Sequence, residues 1–152
     1  MKFFIDTNVF LAGFISSGLC HGLVDNLAHH SRYSSVTSER VLAELERHLT
    51  GKFKWASRDM ANALSLIKDG YGYAQAASYP IRPCPDPDDA WILADALEAN
   101  CSHFVTGDKA LLQMQHIRIS GVHTCEHPFL DIISPRQMTL FLATGHFLDV
   151  RL

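Results

Sequence analysis

The hydrophobic pattern changes period repeatedly along this chain. Phe3, Phe4 and Ile5 form an apolar run too short for a helix and suited to a buried strand, which stops at Asp6-Thr7-Asn8. Helical spacing follows over 9–15 and 21–30, with Ser16-Ser17-Gly18 as the breaker between them. A second strand is predicted over 33–36. Thr37 or Ser38 can then cap a helix reaching about Thr50, with Val41, Leu42, Leu45 and Leu49 as its inward stripe. After a basic turn at 51–55, the helical pattern resumes over 58–77, where Gly70 and Gly72 weaken its second half.

The stretch 79–85 carries three prolines and reads as an extended connection into an acidic helix start. Asp86 can cap that helix, Pro87 suits its first turn, and Asp88 and Asp89 sit where the helix dipole favours negative charge. On the helical wheel Asp89 shares a stripe with Ile92, Leu93 and Ala96, the face that should meet a sheet, while Asp88 lies to one side. A strand over 102–106 ends in Thr106-Gly107-Asp108, and a short helix over 110–113 follows. Strands at 117–119 and 131–133 flank a polar loop, Ser134 or Pro135 opens a closing helix over 136–143, and Gly145 ends it. Strands alternating with helices predict a three-layer α/β/α fold with a central, mostly parallel sheet. With no internal repeat or linker, the expected organisation is one domain over 1–145 and a C-terminal tail, 146–152.

Composition adds limits. The 152 residues suit a single compact domain, and 47% hydrophobic with 19% charged residues describes a globular protein. A net charge of −3, from 16 acids against 13 bases, argues against broad nonspecific nucleic-acid binding but leaves room for a local basic patch. Cys20, Cys84, Cys101 and Cys125 are scattered without a Cys-x-x-Cys pair, as expected of reduced thiols in a cytoplasmic protein. Asp6 and Asn8 interrupt the apolar N-terminus, and no run approaches the roughly 18 apolar residues of a membrane span.

In a parallel sheet, strand C-termini and the N-termini of the following helices share one edge. Asp6, Asp89 and Asp108 are all predicted there, and Glu44, within the helix after the second strand, is a fourth candidate. Carboxylates crowded without basic partners repel one another, and a hard divalent cation such as Mg²⁺ or Mn²⁺ compensates them. Such a site suits phosphodiester hydrolysis. Each acid also has an ordinary explanation: a turn for Asp6, a helix cap for Asp108, and an ion-pair ladder with Arg40 and His48 for Glu44. The wheel does not separate Glu44 from Glu46. Arg40, Arg47, Lys52, Lys54 and Arg58, interleaved with Phe53 and Trp55, make either an RNA-contacting rim or a solvated helix and turn, and Lys109 is a candidate phosphate contact. The polar loop His123–His127 offers ligand-like atoms but matches no metal motif.

Four blocks, FFIDTNVF (3–10), TSERVLAELERHL (37–49), DPDDAWILADAL (86–97) and FVTGDKALL (104–112), resemble the signature blocks of PIN domains, in family order. The resemblance spans residues 1–143 and is strongest to the bacterial group of toxin–antitoxin toxins related to the VapC type. It implies a metal-dependent ribonuclease whose catalytic and metal-binding acids are Asp6, Glu44, Asp89 and Asp108. It also implies that Asn8 and Thr106 support them from behind; Asp88 is a further supporting candidate, and Arg40, Lys52, Lys54 and Lys109 are the candidate RNA contacts read from the residues themselves. It further implies a cognate antitoxin and a homodimer, for which Val9, Phe10, Phe14, Ile15, Leu23, Val24 and Leu27 are the candidate surface. The chief alternative is a catalytically degenerate PIN-like module that only binds RNA or a protein. Phosphoryl-transfer folds of the haloacid dehalogenase type need a second acid where Asn8 stands, and the response-regulator arrangement also differs in order.

Overall fold

The computed structural model of the protein describes residues 1–81, 84, 86–118 and 129–147. The His123–His127 loop and residues 148–152 of the tail lie outside the described residues. In chain order the elements are β1 (Lys2–Ile5), α1 (Thr7–Ile15), α2 (Leu19–Ala28), β2 (Ser34–Ser38), α3 (Glu39–Gly51), α4 (Ser57–Gly70), β3 (Gly72–Ala74), α5 (Pro87–Glu98), β4 (His103–Val105), α6 (Lys109–Met114), β5 (His116–Arg118), β6 (Phe129–Ile133) and α7 (Pro135–Thr144).

The sheet runs β3-β2-β1-β4-β6-β5, parallel throughout except for β5 against β6. This is the expected α/β fold with a mostly parallel sheet. Phe3, Phe4 and Ile5 are all fully buried. Because successive strand side chains face opposite ways, β1 must be covered on both faces, as a central parallel strand is. Helices α1 to α4 and α7 pack among themselves, α5 lies along β2 and β3, and α6 lies along β6.

The predicted caps are largely in place. The Ser38 hydroxyl accepts from the Val41 N–H at the start of α3, and Asp86 accepts from the Asp88 N–H at the start of α5. Ser134 and Gln137 complete a capping box on α7, with Pro135 in its first turn, and Gly145 closes that helix at φ 76°.

One segment departs from expectation. The helix predicted over 58–77 stops at Gly70, and Gly72–Ala74 becomes an edge strand paired with β2. Both glycines are needed for close approach. A Cβ on Gly70 would stand 2.7 Å from that of Ala28 in α2, and one on Gly72 would stand 2.8 Å from a Val36 methyl. Between them Tyr71 is buried, its hydroxyl donating to the Val24 carbonyl at 2.6 Å and its ring meeting Phe10 edge-on. Tertiary packing overrides the helical pattern here.

The apolar surface proposed for dimerisation is mostly consumed within the chain. Val9, Phe10, Leu23, Val24 and Leu27 are buried, and Phe14 packs edge-on against Trp55. Ile15 and Leu19 remain exposed at 43% and 47%. Among the described residues no single helix is long and apolar enough to cross a membrane.

Candidate active site

Strands β1 and β4 pair in register, Ile5 opposite Val105, so the residues that follow them emerge side by side. Asp6 is the N-cap of α1, and its Oδ1 accepts from the Thr7 N–H at 2.8 Å. Its Oδ2 accepts from the Thr106 hydroxyl at 2.8 Å and from Asn8 Nδ2 at 3.0 Å. Asn8 also donates to Thr106 Oγ1 and accepts from the Gly107 N–H at 2.7 Å. The Asp108 N–H donates to Thr106 Oγ1 at 3.1 Å, while Asp108 Oδ1 caps α6 through the Ala110 N–H. Asn8 and Thr106 thus lock the ends of β1 and β4 together and orient Asp6. Asp108 is a helix cap, as its ordinary reading predicted, yet the cap engages only one of its oxygens.

The other two acids reach this edge from helices. Asp89 is half-buried in the first turn of α5, and Ile92, Leu93 and Ala96 on its stripe are buried, as the wheel predicted. Asp88 is exposed. Glu44 is partly buried in the second turn of α3 with His48 Nε2 3.7 Å away, so the His48 half of the anticipated ladder is present. Glu46, which the wheel could not distinguish, is exposed.

Electrostatics ties these groups together. Asp6 is only 4% exposed. Burial pushes its carboxyl up to about 7; the Thr106 and Thr7 hydrogen bonds oppose the rise, and the charges of Glu44 and Asp89 add to it. Burial likewise raises Asp89 to about 6, reinforced by Asp86, Asp108, Glu44 and Asp88. Asp6 therefore sits in the fields of Glu44 and Asp89, and Asp89 in those of Glu44 and Asp108. Asp88 is exposed and adds least to the Asp89 shift, so Asp88→Asn should reduce any divalent-metal affinity less than Asp89→Asn does. Titration with Mn²⁺ checks the order, and equal losses would contradict it.

An all-oxygen, anionic, mutually repelling set suits a hard cation in its chemistry. Among the described residues, however, no three acids, imidazoles or thiols stand in an arrangement that would hold one ion as their side chains are oriented.

The cationic candidates divide. Arg40 does not face outward as a free phosphate contact, nor does it pair with Glu44. Its guanidinium donates to Asp95 Oδ1 and to the Ala77 carbonyl at 3.0 Å, and lies over the Trp91 ring, 4.5 Å from its centre. Lys52, Lys54 and Lys109 are exposed. Lys52 is eight residues beyond Glu44, about 12 Å along a helix axis. Asp95 went unnoticed in the sequence. It is fully buried in α5, and only its place among Leu93, Ala94, Ala96 and Leu97 hinted at that.

A parallel α/β sheet whose carboxyl edge gathers acids from two strand ends and two helices defines a recognisable class of domain. The chain belongs to the PIN-domain family, a family of nucleases: the family model described as PIN domain matches residues 2–110. In fold it is similar to a chain of VapBC2 from Rickettsia felis, solved bound to a DNA fragment from their promoter, with a TM-score of 0.59 at 14% identity over 88% of this chain and 98% of that one. It is also similar to a chain of VapBC-1 from nontypeable Haemophilus influenzae, with a TM-score of 0.51 at 17% identity over 74% and 91% of the two chains. No curated protein matches the chain in sequence.

Proposed function

We propose that the protein is a Mg²⁺- or Mn²⁺-dependent endoribonuclease acting as the toxin of a toxin–antitoxin pair. The observation that carries this reading is the Asp6–Asn8–Thr106 network, which holds a buried carboxylate at the sheet edge within the fields of Glu44 and Asp89. Asp6, Glu44, Asp89 and Asp108 would hold the metal, their side chains reorienting around it. The bound ion would supply an activated water and stabilise charge on the scissile phosphate. Asn8 and Thr106 keep Asp6 facing the site, while Lys109, exposed beside Asp108, contacts the substrate phosphate.

The toxin role is supported by the four sequence blocks and by the two VapBC structures with which the fold is shared. Co-expression with the adjacent reading frame tests it: a cognate antitoxin should co-purify and suppress RNA cleavage. The competing reading, a degenerate PIN-like module, draws on the absence of a preassembled ligand triad among the described residues. Incubating pooled structured RNAs with the protein and Mn²⁺ separates the two, because a binding module retains RNA without cutting it.

A homodimer belongs to the same reading, built on the exposed Ile15 and Leu19 at the junction of α1 and α2. Ile15→Lys should shift it to monomer in light scattering while leaving Mn²⁺ binding unchanged. A wild-type protein that stays monomeric at micromolar concentration removes this element.

A further inference from the structure

We infer that the Arg40–Asp95 pair, partly exposed at Arg40 and fully buried at Asp95, is a positioning device that sets the separation between the two helices carrying Glu44 and Asp89. The inference rests on the metal-site reading above. Arg40 is the second residue of α3, one helical turn before Glu44 and on the same face. Asp95 belongs to α5, the helix whose first turn carries Asp89.

The contacts form a closed ring. Arg40 Nη1 donates to Asp95 Oδ1, Arg40 Nη2 donates to the Ala77 carbonyl at 3.0 Å, and the Ala77 N–H donates to the same Asp95 Oδ1 at 2.7 Å. Three pieces of chain, α3, α5 and the segment leaving β3, are joined through one guanidinium. The Trp91 ring lies against that guanidinium and restricts its plane.

A cleft of about 840 Å³ opens between α3 and α5 beside the pair, lined by Arg40, Glu44, Arg47, Asp88, Trp91 and Ile92 among others. Arg40 forms part of its wall, and Asp95 anchors Arg40 from the core behind. The Arg40 bridge is a direct link between the two helices beside this opening.

The pair is also a poor stabiliser. Asp95 is wholly excluded from solvent, and its Oδ2 has no hydrogen-bond partner. Removing a charge from water and leaving an acceptor unsatisfied offsets much of the attraction, and apolar replacements of similar volume commonly match or exceed such pairs in stability. What an apolar pair cannot reproduce is the directional fork that sets a fixed distance between the helices. Oxygen ligands to Mg²⁺ or Mn²⁺ must meet near-octahedral geometry, so a small drift of α3 against α5 weakens binding at Glu44 and Asp89 without unfolding the chain.

The test is calorimetric titration of the full chain with Mn²⁺, paired with thermal melts, for wild type, Arg40→Lys, and the double variant Arg40→Met with Asp95→Leu. Arg40→Lys keeps the charge but loses the fork, and its Mn²⁺ affinity should fall about tenfold or more. The double variant relieves the buried charge but strands the Ala77 N–H and carbonyl, so it should stay folded and melt within several degrees of wild type yet bind Mn²⁺ roughly 10- to 100-fold more weakly. Wild-type Mn²⁺ affinity in either folded variant overturns the positioning role. A wild-type protein that binds no Mn²⁺ overturns instead the metal-site reading beneath it, so the two failures are distinguishable.

Discussion

Asp6→Asn is expected to lower metal-dependent RNA cleavage by roughly a hundred- to a thousandfold, the rate equivalent of losing several kcal/mol of metal-supported transition-state stabilisation. The fold should survive. Oδ1 of the new side chain can still accept from the Thr7 N–H, so α1 keeps its cap. The amide nitrogen then faces two groups that do not accept from it: the Thr106 oxygen, which already accepts from Asn8 Nδ2 and the Asp108 N–H, and Asn8 Nδ2 itself. These donor–donor contacts oppose the relief gained by removing a buried charge, and metal-free stability should stay within about 2 kcal/mol of wild type at pH 8. Asp89→Asn carries no such clash and should leave the metal-free protein at least as stable as wild type. Single-turnover cleavage of a labelled RNA alongside thermal melts reads both quantities. A large fall in melting temperature for both variants would instead mark these acids as structural caps.

The second large effect is on pH. The Asp6 carboxyl is raised from an ordinary value of 3.8 to about 7, so the folded chain holds a proton there that the unfolded chain has released. Its contribution to stability is fully present below about pH 4 and is lost as pH rises through about 7. In EDTA the protein should therefore melt higher at pH 5 than at pH 8. Asp6 alone accounts for on the order of 3 kcal/mol, and half-exposed Asp89 adds a smaller amount after solvent screening. For a domain of this size that corresponds to roughly 5 to 10 °C. Mn²⁺ at about a hundred times its Kd should restore about 2.7 kcal/mol at pH 8, and Asp6→Asn should flatten the pH dependence. A metal-free protein equally stable at both pH values would show that Asp6 is not a strained charge.

Much of this arrangement was legible in the sequence because it follows from local rules. An apolar triplet ending in an acid, an Asp-Pro-Asp-Asp helix start and a Thr-Gly-Asp strand end each mark a boundary, and parallel topology places those boundaries on one edge. Asp89 on the buried stripe of α5 was predictable from helical spacing alone. What escaped depends on partners distant in sequence. Strand β3 was hidden within a helical period, because Gly70 and Gly72 matter only through their contacts with Ala28 and Val36. Arg40 resembled a surface base paired with Glu44 four residues on, but its partner is Asp95, 55 residues away. The apolar residues of α1 and α2 suggested an interface because the sequence could not show that α4 and α7 would pack against α2.

The central claim, that four acids at the sheet edge form a metal-dependent nuclease site, is tested most directly by one cleavage assay. Wild type and Asp6→Asn are incubated with pooled structured RNAs in Mn²⁺, in Mg²⁺ and in excess EDTA. The account predicts internal cleavage by wild type in at least one metal, none in EDTA, and none above background by Asp6→Asn. Undiminished cleavage in EDTA, or by Asp6→Asn, would contradict it.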